Sequence, residues 1–284
     1  MTTARTPSHV TVVGGGITGL VAALRLDQAG IDVTLIEPGR LGGKLQTSIV
    51  AGRPIDESAD NFLLRVPWGA ALCHDLELDG ELTSPSQRTA HVWTDGTRHF
   101  LPQGHLLGIP TDLDALAACG LMSPEGLARV AQDLELPADP ADPFVAGDDV
   151  AIGPYLRRRL GDEIVDHLID PLVGGINAGD TADLSLAAVV PQLDAAARSG
   201  DPSVIRSCQA QKAASTVPAE APIFATPVGG MARIVDAILG LIPAVDIRQG
   251  VAAERIELVG GEGGAPTGAR VALSDGSVVE TEAV

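Results

Sequence analysis

The 284-residue chain is poor in aromatics: two Trp, one Tyr and four Phe make up 2% of it. So small a stock removes the stacking platforms that hold single-stranded nucleic acids. Positive charge is scarce too, 19 Lys and Arg against 37 Asp and Glu, for a formal net charge of −18. That excess argues against nucleic acid and anionic membrane as partners. Only three cysteines occur, Cys73, Cys119 and Cys208. Their odd number and wide spacing fit neither a disulfide framework nor a metal site, and suit a reducing cytoplasm. No uncharged apolar run reaches the ~18 residues that a membrane-spanning helix needs. The apolar run from Val10 is cut by glycines and no cleavage site follows, so no export leader is expected. What is present, 45% hydrophobic and 20% charged residues, describes a soluble globular protein with core enough for about two domains.

The densest signal lies near the N-terminus. Residues 11–19 read Thr-Val-Val-Gly14-Gly15-Gly16-Ile17-Thr18-Gly19, and Val33-Thr-Leu-Ile-Glu37 follows. The pattern predicts a strand over 10–13, a helix over 18–29 and a second strand over 33–36 tipped by an acid. Gly14 permits a tight turn, Gly16 lets the backbone approach a pyrophosphate, and Gly19 lets the helix pack close to the strand. The helix N-terminus offers unpaired N–H groups to phosphates, and Glu37 can accept hydrogen bonds from a ribose diol. A bland alternative is a tight turn opening an ordinary βαβ unit. The full strand–turn–helix–strand–acid order favours the dinucleotide.

The segment after the acid narrows the choice. Glu37-Pro38-Gly-Arg40-Leu-Gly42-Gly43-Lys44 places a second glycine turn and two cations close behind Glu37. This arrangement is similar to that of flavoproteins of the amine oxidase type rather than of nicotinamide dehydrogenases. It implies FAD, with a basic side chain meeting the diphosphate as a charge-assisted partner.

Further along, 45–50 and 53–55 suggest a short antiparallel pair. His91 to Leu101 alternates about Asp95-Gly96 and reads as a hairpin. From Pro110 the texture turns helical, with segments predicted over 113–118, 124–134, 154–168 and 184–197. Residues 137–143 read as a linker. The Ser-, Ala-, Gln- and Pro-rich stretch 202–222 reads as mobile. A helix with its apolar stripe at Met231, Ile234, Ile238 and Leu241 follows, then strands over 245–248, 255–259, 269–273 and 278–284. The expected fold is α/β: a Rossmann-like FAD-binding domain from residues 1–88 and 221–284, with an inserted, mainly helical substrate-side domain over 89–220.

Three mid-chain motifs carry a finer resemblance. Pro54-Ile-Asp56-Glu-Ser58-Ala59-Asp60-Asn61-Phe-Leu resembles the segment that crosses under the flavin in oxygen-dependent coproporphyrinogen III and protoporphyrinogen oxidases. Residues 160–185, with Pro171, Gly175, Asn177, Ala178 and Gly179-Asp180, are similar to that family's distinctive signature. Gly108-Ile-Pro110 and Gly229-Gly230-Met231 also match. The resemblance implies FAD contacts at Gly14, Gly15, Gly16, Ile17, Thr18, Gly19, Glu37, Pro38, Gly43, Lys44, Ser58, Ala59, Asp60 and Asn61, and a backbone contact to adenine at Ala253. Relatives usually have glycine where this chain has Ser58. It implies a pocket-lining loop at Gly175, Asn177 and Ala178, where small side chains leave room for a flat macrocycle. The alternative for that loop is a simple turn after a helix stopped by Pro171.

The implied reaction removes six electrons from a porphyrinogen in three two-electron steps, with dioxygen as acceptor and hydrogen peroxide as product, in heme biosynthesis. A contact with a downstream ferrochelatase is implied as well. The cofactor carries the hard step, so no catalytic side chain is assigned. His91, His99, His105 and His167 are isolated and read as structural. Arg157-Arg158-Arg159 reads as a solvated helix face paired with Asp162, Glu163 and Asp166. Similarity to the actinobacterial type favours coproporphyrinogen III over protoporphyrinogen IX. Family members are longer, so the chain reads as a C-terminally truncated member. On that reading it retains little FAD alone, and a non-catalytic, nucleotide-binding remnant is the second hypothesis.

Overall fold

The computed structural model describes residues 6–87, 89–94, 96–137, 149–198, 200–215, 218, 221–260 and 266–284. Arg88, Asp95 and most of the expected 137–143 linker lie outside them. The chain divides into two compact units, Met1–Ser86 with Glu220–Val284, and Gln87–Ala219.

In the first unit, strand β1 (His9–Val13) leads through helix α1 (Ile17–Gln28) into the parallel strand β2 (Asp32–Glu37). The strand Asp246–Gln249 pairs in parallel with the other edge of β2. On the outer side of β1, Ala283 forms a parallel bridge to Val10. Val33 to Ile36 are buried without alternation, as a parallel strand covered on both faces requires. Leu20, Ala23 and Leu24 recur at helical spacing and bury one stripe of α1 against Leu35, Ile234, Val235 and Ile238. Each fully buried leucine there contributes roughly 1.5–3 kcal/mol.

Two further layers belong to this unit. Ala253–Val259, Gly268–Leu273 and Val278–Thr281 form an antiparallel meander, whose Val271, Leu273 and Val279 pack with Ile36. The hairpin of β3 (Thr47–Val50) and β4 (Arg53–Asp56) stands between the glycine turns and the following loop.

The second unit is mainly helical, with the hairpin His91–Thr94 against Thr97–Phe100 and a short antiparallel pair, His105–Leu106 with Ile109–Pro110. Its core holds Leu116, Val130, Leu156, Ile164, Leu168 and Ile205. The helix expected over 184–197 is two, Leu186–Val189 and Pro191–Ala197. Val190 precedes a proline and leaves the helical region, at φ −132° and ψ 63°. The helix expected over 154–168 breaks at Gly161, whose φ is +97°.

The stretch expected to be mobile contains an ordered helix, Val204–Ala214. Ser203 caps it by accepting from the Arg206 N–H at 3.1 Å. The Asp133 carboxylate, from a distant turn, accepts from the Ser203 hydroxyl at 2.8 Å and the Ile205 N–H at 3.0 Å. Val204, Ile205 and Cys208 then bury one face. Burial, with Asp133 nearby, pushes the Cys208 thiol up to about 12. Only the thiolate is nucleophilic, so Cys208 should resist alkylation at pH 8 in the native protein and react once denaturant is added. Mass spectrometry of the labelled chain checks this; rapid native labelling would mean that the helix opens readily.

Candidate functional site

The glycine-rich turn between β1 and α1 is held from beneath. Gly14, at φ +103°, donates its N–H to the Ile36 carbonyl at 2.8 Å. Gly19 packs so tightly on this turn that a Cβ there would lie 1.8 Å from the Gly14 oxygen. Gly16 is different: a Cβ on it would meet nothing closer than the Gly43 Cα at 4.0 Å. The space over Gly16 is open, and α1 has no capping side chain. Among the described residues no group accepts from the N–H of Ile17, Thr18 or Gly19.

Glu37 is fixed beside this opening. One carboxylate oxygen accepts from the Gly15 N–H and the other from the Gly39 N–H, each at 2.7 Å, with exposed Pro38 between. The second glycine turn closes on the first: Gly42 donates to the Gly15 carbonyl at 2.7 Å, and Gly43 has φ +56°. A Cβ on Gly43 would stand 3.0 Å from the Gly16 Cα, so glycine is required there. Lys44 is exposed, and among the described residues it forms no ion pair. Arg40 is engaged elsewhere, with Glu57 at 3.0 Å. The Ser48 hydroxyl and then Arg40 hold the Glu57 carboxyl below the usual carboxylate range.

The loop after β4 carries exposed Ser58, half-buried Ala59, and Asp60 accepting from the Asn61 amide at 2.5 Å. Ala253 is less directly placed. It opens the meander and packs beside Ile36, while nearby residues reach the acid: Gly250 donates to the Glu37 carbonyl at 2.8 Å and Gln249 to the Gly39 carbonyl at 2.9 Å. The sequence reading missed Gln249 and Gly250. A glycine just past a strand end was their only signal. An open helix N-terminus, a fixed carboxylate and a free lysine suit a diphosphate linked to a ribose.

In the second unit, Pro171 does not stop a helix. It sits inside a π-helical run, Val165–Gly174. Proline lacks an N–H and crowds the carbonyl four residues back, and the wider π turn relieves that crowding. Gly175, Asn177 and Ala178 follow as an exposed ledge. Ala178 is left-handed at φ +50°, and the Asn177 amide turns back to the Val173 carbonyl at 2.8 Å. A Cβ on Gly174 would meet the Gly179 oxygen at 2.6 Å, so the ledge is backed tightly.

The arginine run is not uniformly solvated. Arg157 pairs with Asp162 and Asp166, but Arg159 is buried against Asp133. Glu163 binds the Ser123 N–H and hydroxyl instead of an arginine. His167 contacts the Leu121 carbonyl, and His105 accepts from the Gly108 N–H, with burial pushing its pKa down. Among the described residues no helix is long and apolar enough to cross a membrane.

Residues 17–284 match the family model for flavin containing amine oxidoreductase. The chain is 39% identical over 191 residues to coproporphyrinogen III oxidase of Bacillus subtilis, covering 65% of this chain and 40% of that protein. It is 36% identical over 241 residues to coproporphyrinogen III oxidase of Mycobacterium bovis, covering 82% and 51%. A solved structure from Exiguobacterium sp. 255-15, assigned as a protoporphyrinogen oxidase, aligns with a TM-score of 0.81 at 28% identity, over 98% of this chain and 59% of that one. The chain spans about half the length of the curated relatives it matches. With all but its first strand and turn inside the family match, the chain belongs to the flavin containing amine oxidoreductases.

Proposed function

We propose that the protein carrying this chain oxidises coproporphyrinogen III to coproporphyrin III in the cytoplasm, with FAD as cofactor, dioxygen as final acceptor and hydrogen peroxide as product. The observation that carries the cofactor assignment is the open cradle over Gly16 beside the doubly anchored Glu37. FAD, when bound, supplies a hydride acceptor that dioxygen can reoxidise. The N–H groups of Ile17, Thr18 and Gly19 take the diphosphate, Lys44 adds its charge, and Glu37 takes the ribose diol. Residues 58–61, on the loop after β4, would hold the ring end of the cofactor. The first unit is thus the FAD-binding domain. The second carries the macrocycle, along the ledge of Gly175, Asn177 and Ala178, beside the exposed apolar side chain of Ile176. Likeness to two coproporphyrinogen III oxidases supports the substrate choice.

The test is a pair of initial rates on the protein that carries this chain, read by porphyrin fluorescence and peroxide yield. A clear preference for coproporphyrinogen III is expected. A preference for protoporphyrinogen IX would overturn the substrate while leaving the reaction class. FAD binding without either turnover would favour a nucleotide-binding remnant.

A further inference from the structure

Asp56 and Glu57 are neighbours in sequence and bind in opposite directions, immediately before the segment 58–61. Asp56 Oδ1 accepts from the Thr47 hydroxyl at 2.5 Å and from the Met231 N–H at 2.9 Å. Thr47 Oγ1 in turn accepts from the Ala232 N–H at 3.1 Å. These are the first N–H groups of the helix Ala232–Leu241, which has no capping side chain of its own. A carboxylate from another element therefore satisfies that helix end, with favourable sign against the helix dipole. The approach is close enough to dictate sequence: Gly230 has φ +100°, and a Cβ there would lie 2.5 Å from Thr47 and 2.8 Å from Asp56 Oδ1.

The same helix backs the glycine turns. A Cβ on Gly42 would stand 2.9 Å from Val235 Cγ2, so the helix packs directly beneath the second turn, which itself bonds the first through Gly42 to Gly15. Glu57 faces the other way. It accepts from Arg40 and from the Ser48 hydroxyl, and its own N–H goes to the Gln46 carbonyl at 2.8 Å. A closed circuit results, from the Gly42 turn to Val235, along the helix to Met231, across to Asp56, on to Glu57, and through Arg40 back to the turn.

We propose that Asp56 is a positioning residue: through the N-terminus of the helix Ala232–Leu241 it fixes segment 58–61 against the dinucleotide cradle, and the Glu57–Arg40 pair closes the frame. The proposal rests on the cofactor reading above. Asp56 Oδ1 is bound to Thr47 and Met231, and among the described residues no hydrogen bond joins its side chain to Gly14–Gly19, Glu37 or Lys44, the residues assigned to the adenosine diphosphate. Its loss should therefore weaken contacts at the ring end and spare the diphosphate end.

ADP occupies only the cradle and FAD needs both, so the two ligands separate the roles. Removing two hydrogen bonds to a carboxylate by Asp56→Ala should weaken FAD by about tenfold or more, while ADP binding changes by less than about twofold. The visible circular dichroism of bound FAD should change with it. Asp56→Asn keeps an oxygen in place and should recover most of the FAD affinity. Unaltered FAD binding in Asp56→Ala, or equal losses for FAD and ADP, would overturn the proposal. If Asp56→Ala does not fold, Thr47→Val, which cuts the same relay at its other member, must show the FAD-selective loss or the proposal fails. If the unaltered protein takes up neither FAD nor ADP, the cofactor reading itself is wrong and the proposal falls with it.

Discussion

In the protein that carries this chain, Gly16→Val is expected to abolish FAD retention, while the thermal midpoint of its apo form differs from that of the unaltered apo form by no more than roughly 3 °C, the effect of a ~1 kcal/mol change in a chain of about 150–250 residues or more. The reason is the asymmetry of the glycine turn. Gly16 has ordinary extended dihedrals, φ −71° and ψ 176°, and a Cβ there meets no protein atom closer than the Gly43 Cα at 4.0 Å. A Cβ is accommodated there, and the methyl groups of a valine would fill the approach path proposed for the diphosphate. Gly19 is the control with the opposite outcome. A Cβ there would lie 1.8 Å from the Gly14 oxygen, so α1 must move off β1. Gly19→Ala should destabilise the first unit by ~3 kcal/mol or more, at the upper end of overpacking costs. Thermal unfolding and bound-flavin absorbance, measured on both variants, separate the two roles. A yellow, fully loaded Gly16→Val protein would show that the diphosphate lies elsewhere.

The first 44 residues were readable because every device in them is local. The β-branched run of β2, the Leu20, Ala23 and Leu24 stripe of α1 and the glycines of the turn lie within a few residues of the groups they serve. The meander strands were readable for the same reason, since their alternation and turns are short-range. What escaped the sequence depends on partners far along the chain. Asp56 looks like a polar residue in a family motif, yet its partner Met231 is 175 residues away. The helix Val204–Ala214 has the composition of a mobile linker; Ser203 is a local cap, but the carboxylate that fixes both Ser203 and the Ile205 N–H comes from residue 133. The π turn around Pro171 escaped because proline ordinarily ends a helix. Arg157 pairs with acids five and nine residues on, within reach of a helical reading. Arg159, two residues later, turns inward to an acid 26 residues back, which no local pattern announces.

That inward pair should produce the largest stability loss in the second unit. Arg159 donates from Nε to Asp133 Oδ1 at 2.8 Å, and the side chains are 5% and 0% exposed. The other Asp133 oxygen holds Ser203 and the Ile205 N–H, so one carboxylate ties three elements. Asp133→Ala strands a buried guanidinium and leaves the Ile205 N–H and the Ser203 hydroxyl, at the start of the helix Val204–Ala214, without their acceptor. A loss of about 3–5 kcal/mol is expected, the cost of removing one member of a buried pair. Replacing both members, Asp133→Leu with Arg159→Met, removes the stranded charge and should be milder than Asp133→Ala alone, though the Ile205 N–H still lacks its partner. Arg157→Ala, at an exposed pair, should cost less than about 1 kcal/mol because solvent and salt screen it. Denaturant titration of the three variants orders them. An Asp133→Ala protein as stable as Arg157→Ala would mean that the pair does not hold the helix in place, and that its burial reflects packing of the arginine stem instead.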